Sequence, residues 1–165
     1  MGWLFGWPTR KDLVKHLTES NDDVETIKSC SVGNNLWCVH RYGDITYACL
    51  YLIKGPAFGN ENDKYRWGYK DIDESMGPSK NDFPASWLKL LSPTTYEYAI
   101  AWRERVKARG EKIKRMKIGS KWGTAPYEII ERRSPTAFRI KDQRGNIYRA
   151  GLKWLLTLEE VVDGI

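Results

Sequence analysis

Few residues in this chain have the types and spacing that chemistry requires. Cys38 and His40 flank Val39, and a strand would turn both toward one sheet face. A thiol beside an imidazole is the minimum for a nucleophile pair, and Cys30 and Cys49 nearby extend it toward a zinc site. Against this, there is no Cys-x-x-Cys and no second clustered histidine, and buried free cysteines are ordinary small core residues. Asp71, Asp73 and Glu74 form an acidic cluster ahead of Gly77-Pro78, with the hard oxygens that Mg²⁺ or Ca²⁺ would take. With Ser75 and Asp82 the spacing approaches an EF-hand loop. It departs where Met76 replaces the glycine of that loop and Asp82 its bidentate glutamate. The plainer reading is that these carboxylates cap turns and pair with Lys64, Arg66 or Lys70. His16 falls on a polar helix face. The expectation is therefore a protein without catalytic residues, metal or cofactor, with a metal- or thiol-dependent enzyme as one alternative.

Charge is the stronger signal. The 165 residues carry 27 Lys and Arg against 21 Asp and Glu, a net +6. Residues 1–80 sum to −1, whereas residues 103–121 alone hold nine basic groups and two acidic ones. A block this dense is the usual footprint of a polyanion, most often nucleic acid, although a basic helix face can also serve solubility alone. Arg103, Arg105, Lys107, Arg109, Lys112, Lys114, Arg115 and Lys117 are the candidate phosphate contacts, which position a nucleic acid without reading its sequence. Eight tryptophans and nine tyrosines could stack bases or fill a protein groove. Most belong to the core, and Tyr65, Trp67 and Tyr69 are the better binding candidates. A protein–protein inhibitor acting through those aromatics is the other alternative. The composition, 41% hydrophobic and 29% charged, is that of a globular protein. No apolar run is long enough to span a membrane, and the opening Met-Gly-Trp-Leu-Phe-Gly matches neither a signal peptide nor a myristoylation signal. With an odd number of cysteines, the expected location is a reducing cytoplasm.

The elements that would position these residues are an N-terminal strand over 1–7, then a helix with Thr9 and Asp12 in capping-box spacing and Leu13, Val14 and Leu17 as its apolar stripe. Three strands follow, 24–32, 36–42 and 45–54, separated by the turn signals Gly33-Asn34-Asn35 and Gly43-Asp44. They suggest an antiparallel meander packed on the first helix. Residues 54–82 read as a long loop in which Tyr65, Trp67 and Tyr69 could add a strand. Asn81-Asp82 would cap a short helix bearing Phe83, Trp87, Leu90 and Leu91. Thr94 and Glu97 would cap a second from Thr95 to at least Arg109, with Thr95, Tyr98, Ala99, Trp102 and Val106 on its core face. Four or five short strands then fill the C-terminal stretch, with a hairpin tip at 142–145, as in a small SH3-like barrel. The expected class is α+β, with residues 1–116 as an α+β domain ending in the basic helix and 117–165 as the small barrel.

The run Gly68-Tyr69-Lys70-Asp71-Ile72-Asp73-Glu74-Ser75-Met76-Gly77-Pro78 resembles a motif of small uncharacterised proteins of phages and plasmids. In that family it is followed, as here, by Leu90–Thr94, then Glu97-Tyr98-Ala99 and Trp102-Arg103, and preceded by Gly2-Trp3-Leu4 and a helix. The likeness covers roughly residues 1–110. Family members often carry Cys after the Gly-Pro, where this chain has Ser79 and Lys80. The resemblance implies an accessory protein of a mobile element, a kind that often counters host defences, and with the basic block the leading expectation is a non-enzymatic binder. Such a protein would engage a nucleic acid or nucleoprotein complex of the host and blunt a defence system, in the manner of anti-CRISPR or anti-restriction proteins.

Overall fold

Strands rich in β-branched and aromatic residues build the first sheet. A computed structural model describes residues 2–56 and 67–162. It divides into two units, residues 1–107 and 108–165. In the first, five strands, β1 (Leu4–Trp7), β2 (Glu25–Val32), β3 (Asn35–Tyr42), β4 (Ile45–Lys54) and β5 (Trp67–Asp73), pair antiparallel in the order β1-β5-β4-β3-β2. Gly33 and Gly43 occupy the hairpin turns at φ of +60°, the left-handed conformation that a side chain disfavours. Helix α1 (Arg10–Thr18) starts at Thr9, whose hydroxyl accepts the Asp12 N–H at 3.1 Å.

Both faces of this sheet are covered, which is why Leu36 to His40 are all buried instead of alternating in and out. Leu13 and Leu17 of α1 pack on Leu36, Cys38 and Ile53. On the opposite face Trp37, Val39, Ala48 and Leu50 meet Phe83, Leu91, Trp102 and Val106. Trp102 belongs to helix α2 (Glu97–Arg115), and its ring lies 5.4 Å from that of Trp37 and 5.3 Å from that of Phe83.

The strand that Trp67 and Tyr69 suggested within the long loop is present as β5, placed between β1 and β4, whereas several other local expectations need correction. Tyr65 lies outside the described residues. The short helix after Asp82 is a 3₁₀ helix, Ala85–Leu90, with no side-chain cap. Asp82 instead accepts the indole N–H of Trp37 at 2.8 Å. In α2, Ala99, Trp102 and Val106 are buried as expected, but Tyr98 is 67% exposed, and Thr95 precedes the helix and is also exposed. The Thr94 hydroxyl accepts from Tyr96 N rather than from Glu97, so no capping box forms.

Gly68 is fixed by close approach. A Cβ there would collide with the Leu4 carbonyl oxygen and the Phe5 ring on the paired strand β1. Gly68→Ala is expected to lower stability by about 2 kcal/mol in urea denaturation and to expose residues 1–9 to protease, because β1 must shift to admit the methyl. Unchanged stability would show that β1 adjusts freely.

In the second unit, β6 (Lys121–Trp122), β7 (Tyr127–Ser134), β8 (Ala137–Lys141), β9 (Ile147–Gly151) and β10 (Glu160–Val161) form another antiparallel sheet in the order β10-β6-β7-β8-β9. A short helix, α3 (Leu152–Leu155), precedes the last strand. Its core gathers Met116, Trp122, Ile129, Phe138, Ile140, Leu152 and Leu155. The tip between β8 and β9 is held by Asp142, whose carboxylate accepts the backbone N–H groups of Arg144 and Asn146, both at 2.9 Å. The fold is thus mixed α and β, built on two antiparallel sheets of five strands. No helix among the described residues is long and apolar enough to cross a membrane.

Candidate nucleic-acid interface

The eight candidate cations separate into those with intramolecular partners and those without. Arg103 places Nε 2.8 Å and Nη2 2.7 Å from the two carboxylate oxygens of Glu74, a bidentate pair with Glu74 only 5% exposed. Arg105 donates to the Pro78 carbonyl at 3.0 Å and to Asn81 at 3.2 Å. Lys112 donates to the Leu156 carbonyl at 2.9 Å, and Arg115 pairs with Glu160 at 2.9 Å. Lys107, Arg109, Lys114 and Lys117 have no hydrogen-bond or ion-pair partner among the described residues, and all but the half-buried Arg109 are exposed. In the second unit Lys114, Arg115, Lys117, Ser120 and Glu160 line an open cleft of about 530 Å³. Arg115 is neutralised there by Glu160, which leaves two ammonium groups on its wall. A helix C-terminus favours cations through its dipole, which gives Lys114 and Arg115 a local reason to be there. Lys117 lies beyond the helix.

The division of charge is sharper than the sequence block alone suggests. Residues 1–107 contain fourteen Lys and Arg and fourteen Asp and Glu. Residues 108–165 contain thirteen against seven, so the whole net +6 resides in the second unit.

The aromatic candidates sit differently. Trp67 packs beside the α1 cluster, its ring 3.5 Å from where a side chain on Gly55 would begin. The Tyr69 ring lies tilted 5.5 Å from Trp7 and edge-on 5.6 Å from Tyr51. Both rings therefore have internal packing partners. Tyr42, Tyr96 and Tyr98 are the most exposed aromatics of the first unit, and in the second unit Tyr148 and Trp154, which sequence reasoning missed, are 46% and 43% exposed. Tyr148 alternates like any strand residue and Trp154 sits near the chain end, so no periodicity singled them out.

The acidic cluster resolves into structure. Asp73 caps the 3₁₀ turn Glu74–Met76 by accepting the Ser75 N–H at 2.8 Å as well as the Ser75 hydroxyl. Glu74 is engaged by Arg103; of the expected partners, Lys70 makes no ion pair among the described residues, and Lys64 and Arg66 lie outside them. Gly77, at φ +65°, ends that turn in the left-handed conformation, and a Cβ there would lie 3.1 Å from the Tyr98 Cβ. Leu90 to Ser92 is pinned to β4, with the Thr46 hydroxyl donating to the Leu90 carbonyl at 2.6 Å and Thr46 N to the Ser92 hydroxyl at 2.9 Å. Two pieces of the motif thus meet in the fold, Glu74 and Gly77 of the first against Arg103 and Tyr98 of the second. Among the described residues no three His, Cys, Asp or Glu side chains gather in a metal-ligating group.

Cys38 is fully buried, and desolvation pushes its thiol up to about 12, the opposite of the low-pKa thiolate that nucleophilic catalysis needs. His40 is not its proton acceptor. The ring is 3% exposed and bridges the Thr26 hydroxyl at 3.0 Å and the Tyr51 hydroxyl at 2.7 Å. Burial lowers its pKa and so favours the neutral imidazole. In the unfolded chain it regains an ordinary value near 6.5, so below that pH the unfolded state binds the extra proton and folding loses stability. Thermal melts from pH 7.5 to 5 should show the midpoint falling with acidification, with a contribution from His40 of up to about 1.4 kcal/mol per pH unit. His40→Gln should flatten that part of the profile. Identical profiles for the two proteins would contradict it.

Comparison with family models, with curated proteins and with solved structures finds no match to the chain.

Proposed function

We propose that this chain is a non-enzymatic nucleic-acid-binding accessory protein, which contacts phosphate through the cations that follow and end α2 and thereby engages a host nucleic acid or nucleoprotein complex. The observation that carries this reading is the confinement of the whole +6 charge to residues 108–165, with Lys114 and Lys117 left uncompensated on an open cleft. Solubility alone would be served by charge spread over both units. Lys107 and Arg109 supply two further cations without partners among the described residues. Arg103, Arg105, Lys112 and Arg115 take part less, since reaching a phosphate would break the contacts that hold them.

The second unit is read as a small SH3-like barrel: its last strand pairs beside its first, and a helical turn precedes that last strand. The resemblance of the Gly68–Pro78 motif to proteins of phages and plasmids supports an origin on a mobile element and an action against a host defence system, in the host cytoplasm. Three free thiols suit that compartment.

The protein purified from cells in low salt should carry bound nucleic acid, raising its absorbance at 260 nm relative to 280 nm, and should lose it on nuclease treatment or in high salt. Protein that emerges free of nucleic acid, and that captures none when offered at low salt, would overturn the reading.

A further inference from the structure

The second unit has an aromatic cleft separate from the Lys114–Lys117 surface. It measures about 290 Å³ and is lined by Tyr127, Ile140, Tyr148, Arg149 and Trp154 with the backbone of β9. The Tyr127 ring stands edge-on to Trp154 at 5.5 Å and to Tyr148 at 6.3 Å, with interplanar angles of 72° and 87°. Tyr148 is fixed by donating its hydroxyl to Asp142 at 3.1 Å. Two large rings are therefore held nearly half open to solvent around a third, in a volume suited to one planar ring system rather than a folded partner.

One arginine borders the cleft. Arg149 lines this cleft and also a neighbouring one of about 350 Å³, whose wall includes Arg133. In the sheet register Arg149 stands directly opposite Arg139, a like-charged cross-strand pair that costs stability. Arg139 is relieved by Glu131 at 3.3 Å, whereas Arg149 has no ion-pair partner among the described residues. An unrelieved arginine next to exposed rings calls for an anion, and it opposes a cationic ligand such as a quaternary ammonium, which the rings alone would also accept. Stacking rings bordered by cations are the pattern of single-strand binding surfaces.

We infer that this cleft takes one unpaired nucleobase of a single-stranded nucleic acid, stacked against Tyr148 and Trp154, with the adjoining phosphate on Arg149. The inference rests on the nucleic-acid reading above and adds to it a base-dependent term. Double-stranded nucleic acid, whose bases are already stacked, gains nothing from the cleft.

Fluorescence anisotropy with a labelled thymidine 12-mer and with an abasic 12-mer of equal charge separates the two contributions. The intact protein should bind the thymidine strand about tenfold more tightly or better. Trp154→Ala should remove that difference while leaving abasic binding unchanged. Tyr148→Leu, which keeps apolar bulk beside Tyr127 without an aromatic face, should reduce it with the fold intact by circular dichroism. Equal affinity for the two strands would overturn the base cleft and leave the phosphate reading standing. Failure to bind either strand at low salt would overturn both. Displacement of the thymidine strand by a proline-rich peptide, together with equal affinity for the two strands, would assign the cleft to a peptide instead.

Discussion

Glu74→Ala should lower the stability of this protein by about 3–5 kcal/mol, more than any surface change. The Glu74 side chain is 6% exposed and the Arg103 side chain 19%, so removing the carboxylate strands a guanidinium with little water to solvate it. The pair also joins two distant parts of the sequence. Glu74 opens the 3₁₀ turn after β5, and Arg103 lies on α2, one residue beyond the buried Trp102. Losing it loosens the seat of α2 against Pro78, whose carbonyl Arg105 also holds. Glu74→Gln keeps an acceptor for one of the two N–H groups and should cost less. The double variant Glu74→Leu, Arg103→Met should recover much of the loss, because an apolar pair of similar size needs no counter-charge. Urea denaturation of the three variants reads these differences. A loss below about 1 kcal/mol for Glu74→Ala would mean that water reaches the pair, which then belongs with ordinary surface ion pairs.

The second large effect concerns binding. Reversing Lys107, Lys114 and Lys117 to glutamate should weaken nucleic-acid affinity by roughly a hundredfold or more near 0.1 M salt, since each lost phosphate contact removes about 0.9 from the exponent relating affinity to salt. All three side chains are exposed and without ion-pair partners among the described residues, so folding should stay within about 0.5 kcal/mol of the parent protein. The matched control is Arg103→Glu, which should damage folding first because it sets a second carboxylate against Glu74. Unchanged affinity in the triple variant, measured by anisotropy at fixed salt, would remove these residues from the interface.

The sequence was most legible where one physical rule acted alone. Thr9 caps α1, and Gly33 and Gly43 turn the hairpins, because capping and left-handed turns need only local chemistry. β-branched and aromatic content between turn signals marked β3 and β4 to within a residue or two. Sequence pattern was less informative where tertiary context decided. For residues 67–73 only the alternate Trp67 and Tyr69 pointed to a strand, because two aspartates and a glycine are poor strand formers; its place between β1 and β4 depends on Gly68 admitting the Leu4 backbone, and Asp73 serves as a cap. Tyr98 has the spacing of a core residue but covers Gly77 from outside.

The candidate site was legible as a charge block and illegible as a surface. Spacing alone could not tell Arg103, spent on Glu74, from Lys107 one turn later, because the carboxylate comes from 29 residues upstream. Nor could it bring Tyr127, Tyr148 and Trp154 together, since strand pairing and the α3 turn do that. The cysteine–histidine pair shows the reverse. Alternation put both residues on one face, but burial leaves a neutral thiol and an imidazole already engaged by Thr26 and Tyr51.

The most direct test is the salt dependence of binding to a short nucleic acid, plotted as log K against log salt from 0.05 to 0.3 M. Phosphate contacts by Lys107, Arg109, Lys114 and Lys117 predict a slope of about −3 to −4, flattened toward −1 in the triple charge-reversal protein. A slope near zero, or the same slope in both proteins, would contradict the account.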